Sequence, residues 1–208
     1  MVDENLQTKQ KLLNISGEIF AKKGFKDTTI REICEQARTN VASVNYHFRD
    51  KEGLYKEVLK YGLKVAIEKY PPQADIGEHS MPEEKLYAFI RSLIFRILDR
   101  GEYAWHGKLM ALEMVKPTKA LDDLVGNTIH PMTLELEKIL REITGPDATG
   151  EELRLCMMSV VGQCMFYMHC RPVIDRLYPE QKYDKSHLEN LAGHIARFSL
   201  KALKDFHT

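Results

Sequence analysis

Residues 28–51 read TTIREICEQARTNVASVNYHFRDK, and this stretch decides the fold. Its apolar positions, Ile30, Ile33, Cys34, Ala37, Val41, Val44 and Phe48, are spaced for two short helices joined by a tight turn, each burying one face. Thr29 followed three residues later by Glu32 predicts a capping box. The Thr29 hydroxyl accepts from a free backbone N–H of the first turn, and the Glu32 carboxylate reaches back. Arg38, Thr39 and Asn40 interrupt the apolar pattern, and either Thr39 or Asn40 can cap a second helix over Val41–Phe48. The pattern is a helix-turn-helix.

With Val41, Val44 and Phe48 turned inward, the second helix presents Ala42, Ser43, Asn45, Tyr46 and His47 outward. A helix entering the DNA major groove needs small residues at the closest approach, amides or hydroxyls for base edges, and donors for phosphates at its flanks. All three are present. The plainer alternative is a solvated helix whose Tyr46 and His47 merely close over the core.

The wider run Gly24-Phe25, Thr28-Thr29-Ile30-Arg31-Glu32-Ile33, Asn45-Tyr46-His47-Phe48 and Lys51-Glu52-Gly53-Leu54-Tyr55 resembles the N-terminal domain of TetR-family transcriptional regulators over about residues 8–60. The resemblance implies phosphate contacts for Tyr46, His47 and Lys51 and a base contact for Arg31. Together with the outward face, the expected DNA-binding set is Arg31, Asn40, Ser43 and Asn45 near bases, with Thr29, Tyr46, His47 and Lys51 on phosphates. One departure is Arg38, where the family usually has glycine in the turn. Either Arg38 takes a positive φ at some strain, or the turn differs and the recognition helix tilts, or Arg38 adds a phosphate contact.

The whole chain of 208 residues carries thirty acidic and thirty basic side chains, which argues against a protein that coats nucleic acid by charge alone. Residues 1–69 hold 13 Lys and Arg against 10 Asp and Glu. One such head binds DNA feebly, so useful affinity requires two copies on one site, and the C-terminal part must supply the dimer. No apolar run approaches the roughly 20 residues of a membrane span, and MVDENLQTKQ lacks the layout of a signal peptide; a cytoplasmic protein is expected. Cys34, Cys156, Cys164 and Cys170 show no CxxC spacing and read as free thiols.

Everything else is helical in pattern, and the expected fold is all α. A first helix over about 6–23 stops at Gly24 and completes a three-helix domain, 1–50. Asp50 caps a connecting helix, 51–70, a lever between the halves. A linker, 71–82, contains PPQADIGEHSMP, and 83–208 forms a helical ligand-binding and dimerisation domain. Its expected helices cover 83–99, 102–115, 118–143 with a kink or break at Pro131, 150–170 opened by a Thr149/Glu152 capping box and stopped by Arg171-Pro172, and 186–206.

The last two long helices are apolar on more than one side, and the resemblance makes them a four-helix homodimer interface, with a monomeric bundle core as the alternative. His106, Met110, Glu113 and Met114 share a helix face. With Trp105 on that helix and Gln163, Phe166 and Tyr167 on another, they make a candidate ligand-binding set. In the family an inducing ligand binds between the middle helices, shifts the lever helix and spreads the recognition helices. Taken singly, Glu113 and His106 read more simply as paired or exposed side chains. Residues 105–122, WHGKLMALEMVKPTKALD, look like the corresponding region of the CecR-like branch.

An enzyme is not expected. Cys164 and His169 are five apart and share no face well, and neither a glycine-rich phosphate loop nor a nucleophile elbow occurs. The rival reading is a metal- or redox-responsive regulator using Cys156, Cys164, His169 and Cys170, whose thiolates and imidazole suit zinc or copper; Cys156 and Cys164 lie two turns apart, too far to share one ion without a further helix. No cofactor or metal is implied. The resulting expectation is a homodimeric, ligand-released repressor on palindromic operator DNA.

Overall fold

Gly24, at φ +80°, breaks the long N-terminal helix where the sequence places its end, and one more turn follows it. The Thr28 hydroxyl, fully buried, donates to the Gly24 carbonyl at 2.8 Å and fixes that break. The computed structural model describes residues 2–74, 76–77, 79–98, 101 and 104–205, with side chains from Asn5 onward. Its elements are α1 (Val2–Asp27), α2 (Ile30–Ala37), α3 (Val41–Phe48), α4 (Lys51–Lys69), α5 (Pro82–Leu98), α6 (Trp105–Val115), α7 (Ala120–Leu124), a π-helical turn (Val125–Ile129), α8 (His130–Thr144), α9 (Gly150–His169), α10 (Arg171–Leu177) and α11 (Lys185–Lys204). Among the described residues there is no strand, and no helix is long and apolar enough to cross a membrane.

The chain gathers into two compact units, residues 1–66 with 101–126, and residues 67–100 with 127–208. This cuts across the boundaries expected from sequence. Segment 101–126 leaves the C-terminal body, and the connecting helix divides after Ala66.

The reason in the first unit is a tight fit. The Trp105 indole, 7% exposed, lies so close to α1 and α4 that a Cβ added to Gly17 would fall 2.7 Å from the ring and one added to Gly62 2.9 Å from it. Tyr61 stacks on the same indole at 6.5 Å between centroids. Trp105 and Leu109 thereby join a core made by Leu12, Leu13, Ile19 and Phe20 of α1, Ile33 and Ala37 of α2, Val44 and Phe48 of α3, and Leu54, Tyr55 and Val58 of α4.

In the second unit Leu86, Ile90 and Ile94 of α5, Leu136 and Leu140 of α8, Leu153 and Val160 of α9, and Leu188, Ala192 and Ile195 of α11 share the other core. Two local details are added. The interruption expected at Pro131 within 118–143 takes the form of α7, a π-helical turn and α8, with Pro131 in the first turn of α8. Proline lacks an N–H and clashes with the carbonyl four residues back, and the wider π turn just before it absorbs the mismatch. Helix α9 stops at His169 ahead of Arg171-Pro172, as expected, and a further short helix, α10, begins there with Pro172 in its first turn. The expected ends of three helices at residues 99, 102–103 and 206 lie outside the described residues.

Replacing Trp105 with Ala would leave a cavity between Gly17 and Gly62. It should cost about 3–5 kcal/mol of unfolding free energy, measured by urea titration.

Candidate nucleic-acid interface and ligand-binding residues

Eight-residue helices such as α2 and α3 do not hold their shape in isolation; caps and packing hold these. Thr29 Oγ1 accepts from the Glu32 backbone N–H at 3.2 Å. The reciprocal half of that capping box is replaced, because the Glu32 carboxylate pairs with Lys23 Nζ at 2.5 Å. The second box, Thr149 with Glu152, forms in full. Asn40 caps α3, its Oδ1 accepting from Ser43 N–H at 2.9 Å and from Ser43 Oγ at 3.2 Å. Asp50 caps α4 through Gly53 N–H at 2.8 Å. A Cβ on Gly53 would lie 2.1 Å from the Phe48 carbonyl oxygen, so this turn admits only glycine without a shift.

Arg38 takes the left-handed conformation, φ 49° and ψ 50°, and its N–H bonds the carbonyls of Cys34 and Glu35. It therefore closes α2 as the glycine of the resemblance would, so the turn is kept and the strain falls on Arg38. Arg49, which no sequence signal singles out, closes α3 at φ 73°.

On α3, Val44 and Phe48 are buried, but Val41 is 48% exposed and joins the outer face rather than the core. Asn45 is exposed, and Tyr46 more so. His47 is half-buried, edge-on to Tyr46 at 5.0 Å, and burial, with Lys9 nearby, holds its imidazole below the usual histidine range. Lys51 Nζ donates to the Lys26 carbonyl at 3.2 Å and sits 4.6 Å over the Phe25 ring, leaving two of its three N–H groups free to donate elsewhere. Arg31 is exposed and paired with Glu35 at 3.1 Å. All eight expected DNA-binding residues thus belong to the first unit.

The candidate ligand set is divided. Trp105, His106, Met110, Glu113 and Met114 belong to the first unit, Gln163, Phe166 and Tyr167 to the second. Glu113, fully buried, is engaged within the fold: Tyr55 OH donates to Oε2 at 2.6 Å, and the Thr118 N–H and hydroxyl donate to Oε1 at 2.7 and 2.8 Å. Burial and this carboxylate raise the Tyr55 pKa, so the phenol stays a donor. His106 is buried, Met110 half-buried against the first core, and Met114 exposed. Gln163 Nε2 donates to Ser199 Oγ at 3.1 Å, Tyr167 packs on the second core, and Phe166 is 54% exposed.

Two cavities lie elsewhere. One of about 390 Å³ in the first unit is lined by Lys23, Phe25, Lys26, Tyr55, Leu112 and Lys116 among others. One of about 670 Å³ in the second includes Tyr87, Arg91 and Glu189. Among the described residues no three His, Cys, Asp or Glu side chains converge as a metal site requires. Cys164 is buried, and burial pushes its thiol up to about 12. The metal- or redox-responsive alternative finds no support in these groups.

Residues 12–58 match the family described as bacterial regulatory proteins, tetR family. Residues 82–203, more than half the chain, match the C-terminal domain of the HTH-type transcriptional dual regulator CecR. This protein belongs to the TetR family, in its CecR-like branch. The regulator is 27% identical to the CecR of Shigella flexneri over 169 residues, 77% of this chain and 75% of that one. It is 37% identical to the probable regulator YttP of Bacillus subtilis over 94 residues, 45% of this chain and 44% of the other.

Among solved structures, the regulator's fold resembles a putative fatty acid metabolism regulator of Clostridium perfringens (TM-score 0.68, 18% identity, 92% of this chain and 97% of that one). It also resembles AibR in complex with isovaleryl coenzyme A and operator DNA (TM-score 0.65, 18% identity, again 92% and 97%). The matched relatives are transcriptional regulators.

Arg96 escaped the sequence reading. It lies seven residues after Phe89 and three after Leu93, on the inward face of α5, and an arginine on an apolar stripe was the available signal.

Because Arg38 carries left-handed strain, Arg38→Gly should stabilise the regulator by about 0.5–1 kcal/mol, after glycine's added unfolded-state freedom is subtracted. Chemical denaturation reads this directly.

Proposed function

We propose that the regulator is a ligand-released repressor that acts as a homodimer on a palindromic operator, reading bases from α3. The observation that carries this reading is the outer face of α3, where Ala42, Asn45 and Tyr46 are exposed; Lys51, at the start of α4, keeps N–H donors to spare. In this reading Arg31, Asn40, Ser43 and Asn45 meet base edges, while Thr29, Tyr46, His47 and Lys51 meet phosphates. Asn40 uses its carbonyl oxygen for capping, so only its N–H donors address DNA. His47, whose imidazole burial and Lys9 hold below the usual histidine range, meets its phosphate through a ring N–H.

A stripe on α9 and α11 supports the dimer. Leu155, Met158 and Phe166 are 56%, 61% and 54% exposed at helical spacing, and Phe198 on α11 is 62% exposed. Gly162 within the stripe leaves open space, so a second copy can approach closely. Large apolar side chains in such a row mark an interaction surface, and a self-complementary face suits a two-fold dimer. The paired recognition helices then bind half-sites about one DNA turn apart, roughly 34–36 Å. The solved AibR complex holds an acyl-coenzyme A and operator DNA together, which supports an effector-responsive reading for a chain of the same fold.

Lys51→Ala should weaken all DNA sequences alike and reduce the salt slope by about one, whereas Asn45→Ala should cost about 1–3 kcal/mol at one operator position; binding titrations at several salt concentrations distinguish the two. Phe198→Glu should yield a folded monomer by light scattering and remove operator binding. A dimer that persists in this variant contradicts the proposed interface.

A further inference from the structure

Among the described residues, one buried charge stands apart from the paired ones. Glu113 receives three donors, and Arg91 makes a two-armed pair with Glu189. Arg96, only 6% exposed, has no carboxylate partner among the described residues. Its Nε donates to the Ser92 carbonyl of its own helix at 3.2 Å. Nη1 faces the Met132 thioether at 3.6 Å, and Nη2 is buried without a partner.

Burial lowers the Arg96 pKa to about 10, with the neighbouring Cys164 acting in the opposite sense, so the side chain remains a cation at neutral pH. The Cys164 thiol, pushed up to about 12, is neutral there and offers no counter-charge. A desolvated guanidinium left without a counter-ion is unfavourable, and a fold retains one at a loss of stability.

We infer that Arg96 is the receptor for an oxyanion, a carboxylate or phosphate carried on an otherwise apolar small molecule, that binds inside the second unit beside Met132 and Cys164. A thioether is a weak acceptor on a flexible side chain. An oxyanion that displaces it gains a charge-assisted, two-armed pair with the guanidinium. The thioether and thiol that flank the guanidinium select an apolar body behind the charged head. Tyr167, one of the sequence candidates, lies one turn beyond Cys164 and within its electrostatic reach.

The position also has a route to the rest of the chain. Met132 lies three residues beyond the π-helical turn Val125–Ile129, within which the chain passes from the first unit to the second. A π turn is a local register slip in a helix, often found where function requires adjustment. The regulatory meaning of the site rests on the ligand-response reading above; the binding itself does not.

The test is a thermal-shift and calorimetric titration of the full chain with octanoate, benzoate and octyl phosphate, each against a neutral counterpart, octanol or benzamide. At least one anion should raise the melting temperature where its neutral counterpart does not, and carboxylate against phosphate identifies the head group. Arg96→Met should weaken that anion at least tenfold while leaving the ligand-free melting temperature unchanged or higher. Arg96→Lys, which keeps the charge and loses the two-armed geometry, should bind with intermediate affinity. The inference is overturned if neutral compounds bind as well as anions, if no anion binds, or if Arg96→Met keeps full affinity. Operator binding measured with the same anion reads the effector role separately: binding at Arg96 without a change in DNA affinity supports the anion site and contradicts ligand release.

Discussion

The seating of Trp105 between Gly17 and Gly62 is the contact on which the first unit depends. It places α6 on α1 and α4, and those two helices are what α2 and α3 pack against. At the other end of α6, Glu113 bonds Tyr55 of α4 and the Thr118 backbone and hydroxyl. The two contacts lie eight residues apart, about 12 Å along a helix, and together they fix α6 as a part of the DNA-reading unit. The short helices of the helix-turn-helix gain their rigidity from this packing rather than from their own length.

That rigidity matters because the reading head has little charge to draw DNA in. With 13 basic against 10 acidic residues over 1–69, attraction to phosphate is modest, and in the proposed function affinity comes from geometry: a recognition helix held at one angle, in two copies at one spacing. The apolar row of Leu155, Met158, Phe166 and Phe198 belongs to this argument. Large apolar side chains left in water are unfavourable, and in the proposed dimer a second copy would cover them.

Much of this was legible in the sequence, for identifiable reasons. Caps and inward positions are local, so α2, α3, α4, α5, α9 and α11 emerge from spacing alone, and Asn40, Asp50 and Thr149 act as their side-chain chemistry requires. The assignment of α6 was not legible, because its key is the absence of side chains at Gly17 and Gly62, on helices 43 to 88 residues away. For the same reason Trp105 and Glu113, which as residue types suggest a ligand pocket, are engaged within the fold. Glu32 illustrates competition: its carboxylate satisfies both a capping box and an ion pair with Lys23 in principle, and the cation wins. Phe198 fits an inward pattern at helical spacing, yet lies outside, since periodicity cannot distinguish a core from an interface between copies.

Selection of bound fragments from genomic DNA by the purified protein, followed by hydroxyl-radical footprinting of the best one, separates a paired grip from any other mode of binding. A dimeric regulator gives a two-fold symmetric site with two protected patches centred about 10–10.5 base pairs apart, or a multiple of that spacing. A single asymmetric patch, or protection without sequence preference, would contradict it.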